Sequence, residues 1–172
     1  KLQLTILLEK AVSTDIRGSV WHALIKIFPT VPIELIVLNE RNEVFLVYRD
    51  DFEFKGWHHP GSVWNAWETI PERREKLISG EITKTFGLTV SKPLSIGWMG
   101  IYRGTEEDGP NSNPARVECS LVHIAYLTSV FINQQGASFF SLDDLPDNTL
   151  AHHKYILRRV KQYLIDGILL CD

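Results

Sequence analysis

Residues 56–88, GWHHPGSVWNAWETIPERREKLISGEITKTFGL, gather most of the side chains that could do chemistry. Glu68 and Glu81 supply hard carboxylate oxygens, suited to a divalent cation or to acid–base work. His58 and His59 could ligate a metal or touch a phosphate, and adjacent loop histidines as readily pack or hydrogen-bond locally. Trp57, Trp64 and Trp67 could stack on a base or sugar, or simply fill core. Arg73, Arg74 and Lys76 form either a phosphate-binding edge or a solvated helix face. Farther along, Glu118 and His123 sit in a strand-like run as candidate bases. Their odd separation sends them to opposite faces of a regular strand. Arg103 and Arg116 flank the acids of residues 106–108 and could hold a diphosphate or pair with those acids. His152 and His153 lie near the start of the last helix as ligands or surface cap residues.

Several elements must position these groups. Residues 2–12 and 16–27 read as two helices, the second with apolar Ile16, Val20, Ala23, Leu24 and Ile27 on one face. Residues 1–28 are thus an N-terminal helical extension of a single domain spanning 1–172. Residues 34–39 (ELIVLN) and 44–48 (VFLVY) flank the polar turn ERNE and predict a hairpin. Residues 94–102 and 117–127 predict two more strands, with Gly97 and Gly100 marking a bulge or a close backbone approach in the first. Residues 103–115 form a polar Gly/Pro loop long enough to be functional. A short strand follows at 137–141. Asn148 or Thr149 caps a final helix that carries Ile156, Leu157, Val160, Tyr163 and Leu164 on its apolar face.

The order of these elements and the stretch 61–88 resemble the Nudix family. Its box runs glycine, five residues, glutamate, seven residues, then R-E-U-x-E-E-x-G-U, with U a bulky aliphatic residue. Pro60-Gly61-Ser62 resembles its opening, and Glu68 follows Ser62 at the family spacing. Glu81-Ile82 and Gly87-Leu88 resemble its distal half, with four additional residues between the halves. Residues 33–39, 44–49 and 139–146 resemble the family's flanking strands and turn. Gly80 stands in place of the box arginine, and Lys84 and Thr85 in place of the paired glutamates. An ammonium one turn from Glu81 opposes a bound cation and can pair with that carboxylate.

The resemblance implies an α+β, Nudix-like α/β/α sandwich with a mixed β-sheet. It implies a metal-dependent hydrolase that cleaves a nucleoside diphosphate linked to another moiety. Glu81, Glu118 and Glu68 would be the catalytic acids. Mg²⁺ or Mn²⁺ would sit on Glu81, helped by backbone carbonyls near Gly61 or Ser62. Trp64, Arg49, Arg103 and His59 would contact substrate. The substitutions at Lys84 and Thr85 favour the alternative, an inactive Nudix-like module that binds a nucleotide or a protein partner.

A net charge of −3 gives no basic surface for nucleic acid or anionic membranes. No apolar run reaches the roughly 18 residues of a membrane span, and no cleavage signal follows residues 2–8. Two distant cysteines give neither a disulfide framework nor a zinc site. The expectation is a cytoplasmic protein with a small nucleotide-type ligand, and a homodimer if the N-terminal helices build an interface.

Overall fold

The structure, a computed structural model, describes residues 30–51, 55–64, 67–103, 117–130, 136–168 and 170–171, with backbone alone for 100–103, 117–118, 130 and 170–171. The expected helices at 2–12 and 16–27, and the loop holding Arg116 and the acids of 106–108, lie outside these residues.

The run PIELIVL forms β1 (Pro32–Leu38), and all seven of its residues are buried. A strand covered on both faces reads as a near-continuous apolar run, and only Glu34 breaks this one. The turn after it is held by Asn39, whose side-chain oxygen accepts the N–H groups of Arg41 and Glu43, both at 2.9 Å. The chain returns antiparallel as β2 (Val44–Asp50), completing the expected hairpin. β3 (Lys55–His58) pairs with β2, and β4 (Gly61–Val63) pairs with the first half of β1. Helix α1 (Ile70–Lys76) continues into a π-helical segment (Leu77–Thr85). β5 (Leu88–Val90) follows, then β6 (Leu94–Arg103), β7 (Val117–Val130) and β8 (Ala137–Phe140). Helix α2 (Ala151–Asp166) and a two-residue β9 (Leu170–Cys171) complete the described chain.

The strand order is β3-β2-β1-β7-β6-β9, with β4 also on β1, β5 on β7 and β8 on β2. β1 runs parallel to β7, while β2 and β6 run antiparallel to their neighbours in the centre of the sheet, so the sheet is mixed. The ladder between β6 and β7 shifts register at Ser95/Gly97 and Met99/Ile101, the bulges that the glycines foreshadow.

Strand periodicity sorts the core onto two faces. Ile36, Leu38, Val44, Leu46, Val122 and Ile124 pack against Ile156, Leu157 and Val160 of α2. Leu35, Val37, Phe45 and Ala125 pack against Leu77, Ile82 and Phe86 of the box helix. Helix, sheet and helix therefore stack as the expected three layers. Among the described residues no helix is long and apolar enough to cross a membrane.

The start of α2 corrects one expectation. Neither Asn148 nor Thr149 caps it; Leu150 occupies the N-cap position with no side-chain bond. The reason lies in β3. Trp57 N–H donates to Asn148 O, and Leu150 N–H donates to Trp57 O, both at 3.0 Å. Residues 148–150 are thus held as a short parallel bridge to β3, and Thr149 is buried there. Gly56 allows the approach, because a Cβ on it would lie 2.2 Å from Asn148 O.

Candidate functional site

The chain crosses from the β2 side of the sheet to β1 through His58, His59 and Pro60. Leu35 N–H donates to Pro60 O at 3.0 Å, and Gly61 pairs with Glu34. A Cβ on Gly61 would fall 2.2 Å from Glu34 Oε2, so the glycine lets the carboxylate lie directly under the loop. The bridge from Trp57 to Thr149 brings the first turn of α2 to the same place. His59 and His153 meet edge to face with ring centroids 4.1 Å apart, and His58 and His152 stand 5.5 and 4.2 Å from His153.

Three members of this group are buried: Glu34 at 4% exposure, His59 at 0% and His153 at 7%. Glu34 Oε2 lies 3.4 Å from His59 Nδ1, and Ser120 Oγ donates to Glu34 Oε1 at 3.4 Å. Burial pushes the His59 pKa down to about 3, with His58 adding repulsion. Burial also holds His153 well below the usual imidazole range, and its neighbouring histidines reinforce this. Both rings are therefore neutral at pH 7, each with a lone pair available. His153 is thus a buried group, not a surface cap residue.

The box helix forms the second part of the site. Thr69 opens it with a capping box: Glu72 N–H donates to Thr69 Oγ1 at 3.3 Å, and Thr69 N–H donates to Glu72 Oε2 at 2.8 Å. Gly87 N–H donates to Thr83 O at 2.9 Å at the far end. Between them the i→i+5 winding spreads positions 81, 84 and 85 differently from an α-helix, and Thr85 Oγ1 donates back to Gly80 O at 3.1 Å. Among the described residues Glu81 and Lys84 form no ion pair. Burial instead raises the Glu81 pKa, partly offset by the Arg49 guanidinium. Arg49 also lies close enough to depress His58 and His153, so one cation spans the box helix and the histidine group.

The remaining expected site residues fall as follows. Glu68 bridges to Lys76 and, at 3.5 Å, to Arg73, which ties the loop to α1. Ser62 Oγ accepts a hydrogen bond from Arg73. Trp64 is half-buried and donates its indole N–H to Glu68 O, whereas Trp67 is 72% exposed. Arg103 and Glu118 pair no farther apart than one position along the β6–β7 ladder, where Tyr102 faces Glu118; their side chains lie outside the described residues. His123 is buried on the face opposite Ser120. The structure therefore sets Arg49, itself paired with Asp51, near Glu81 and near His58 and His153, and commits Glu68 to ion pairs.

A magnesium cluster at the box positions does not fit these side chains. Mg²⁺ takes oxygen ligands, usually one or two ionised carboxylates with substrate phosphates and waters completing the shell. At the metal positions of the box the helix offers Glu81 alone, half-buried and disfavoured as an anion. Among the described residues, the one set of three ligating side chains is Glu34, His59 and His153, and it does not include Glu81. Sequence reasoning missed Glu34, although its signal was present: it shares strand parity with Ile36 and Leu38, and an acid on a buried face needs a partner.

No protein-family model matches the chain, and no curated protein is similar to it in sequence. Solved structures do match in shape. An ADP-ribose pyrophosphatase from Streptococcus suis superposes with a TM-score of 0.54 at 18% identity, over 81% of this chain and 92% of that one. A MutT Nudix hydrolase from Burkholderia pseudomallei gives 0.54 at 16% identity, over 77% and 98%. The Nudix domain of Shewanella oneidensis NrtR, complexed with ADP-ribose, gives 0.56 at 10% identity, over 80% and 89%. The chain has the fold of these proteins.

Proposed function

We propose that this Nudix-fold chain binds a nucleoside-diphosphate-type ligand, of which ADP-ribose is the natural probe, without the magnesium cluster of the box. The observation that carries this reading is the state of Glu81. It is the one carboxylate at the metal positions of the box helix, burial raises its pKa, and its charged neighbour is Arg49 rather than a second acid. Arg49, which is ion-paired with Asp51, would supply a positive group for a diphosphate. Trp67, exposed beside the box, offers a stacking surface for a base. The complex of the NrtR Nudix domain with ADP-ribose supports the choice of ligand class.

A second reading, hydrolysis of the same class of ligand, is favoured by one observation. A half-buried carboxyl with a raised pKa beside an arginine is a common arrangement for an acid or base at work. Calorimetry with ADP-ribose, with magnesium and then with EDTA, separates the two. Binding whose affinity changes less than threefold on metal removal, with phosphate release at background, is expected. Magnesium-dependent cleavage that disappears in Glu81→Gln would overturn the binding-only reading and establish the hydrolase.

A further inference from the structure

We propose that Glu34, His59 and His153 form a binding site for one zinc-like divalent ion, separate from the box helix, that pins β1, the His59–Pro60 crossing and the start of α2 together. One ligand atom from each residue lies within 4.8 Å of the other two. Glu34 Oε2 and His59 Nδ1, at 3.4 Å, already match a tetrahedral edge. For metal–ligand lengths of 2.0–2.1 Å that edge is about 3.3 Å. On the second ring, His153 Nδ1 is buried without a hydrogen-bond partner. Buried polar atoms are nearly always satisfied, so an orphan inside such a cluster points to a missing ligand.

The donor set selects the ion. Two imidazoles and one carboxylate suit zinc and its neighbours among the transition metals, whereas magnesium prefers oxygen throughout. Neutral imidazole is the form that ligates. A supporting contact is in place as well. Ser120 Oγ holds the far oxygen of Glu34. Bonds of this kind orient metal ligands. The three residues come from β1, from the loop after β3 and from α2, which are distant in sequence, so a bound ion would cross-link the fold.

The test uses the untagged full chain, stripped with EDTA and titrated with Zn²⁺ against a chromophoric chelator, and separately with Co²⁺. One zinc per chain, a raised melting temperature and visible cobalt bands of tetrahedral intensity are expected. His153→Gln should weaken zinc at least tenfold, and Glu81→Gln should leave zinc affinity within twofold. The second variant keeps this site distinct from the box. If His153→Gln does not fold, the wild-type cobalt spectrum still decides. Octahedral or absent cobalt bands, sub-stoichiometric zinc, or zinc affinity unchanged in a folded His153→Gln overturns the proposal.

Discussion

Glu81 shows how one residue can keep its place and change its meaning. Its burial raises the pKa, so the folded chain binds a proton more readily than the unfolded chain does. Between the unfolded value near 4.5 and the higher folded value, the folded state holds more protons, and stability falls as pH rises through that window. Above it the ionised carboxylate is a standing cost. Glu81→Gln is therefore expected to raise the melting temperature at pH 7, and the gain should vanish below pH 4.5. Paired thermal scans of both chains across pH check this, and a Gln variant less stable at pH 7 would show that Arg49 outweighs desolvation. The sequence made Glu81 legible as the surviving box acid. It did not make its electrostatics legible, because those depend on Arg49 arriving from β2 and on a helix wound so that Lys84 does not reach it. Glu34 and His153 were harder still: 119 positions separate them, and only the β3 bridge to residues 148–150 brings them together.

At the scale of elements, the box helix is two unlike halves joined end to end. The α-helical half is started by Thr69, Pro71 and Glu72, a capping signature written openly in the sequence. The π-helical half carries its own trace, since buried Leu77 and Ile82 are five apart, one i→i+5 step. An expectation of helical spacing at three and four passes over that step. Two substitutions probe the halves separately. Thr69→Ala removes the cap and should cost about 1 kcal/mol. Gly80 has open space where a Cβ would go, and Gly80→Ala should add roughly 0.5–1 kcal/mol by lowering the entropy of the unfolded chain. Urea unfolding of the two variants measures both. A loss at Gly80→Ala would mean that the wide winding needs glycine there, tying the π segment to the residue that replaces the box arginine.

Across the whole molecule, the sheet is the partition on which everything else is mounted. β1 lies between β7 and the paired edges of β2 and β4, and its two faces feed two separate apolar clusters. Phe45 extends the box-helix cluster through ring contacts with Phe86 at 5.2 Å and Phe139 at 5.4 Å. This layering was legible through the family resemblance, and the run PIELIVL, apolar but for one acid, suits a strand covered on both faces. The candidate site inherits its rigidity from that strand: Glu34 is part of it, His59 crosses over it, and Ile82 packs the helix that carries Glu81 against it. Opening β1 would expose both clusters at once, so its amides should exchange only through global unfolding. β9 has two residues and lies at the edge of the sheet. Native-state hydrogen exchange over a denaturant series should therefore give residues 33–38 the full unfolding free energy and the full denaturant slope, with β9 exchanging through smaller openings. Exchange of 33–38 with a small slope would show that the two layers come apart independently, and that the histidine group and the box helix are held by separate units.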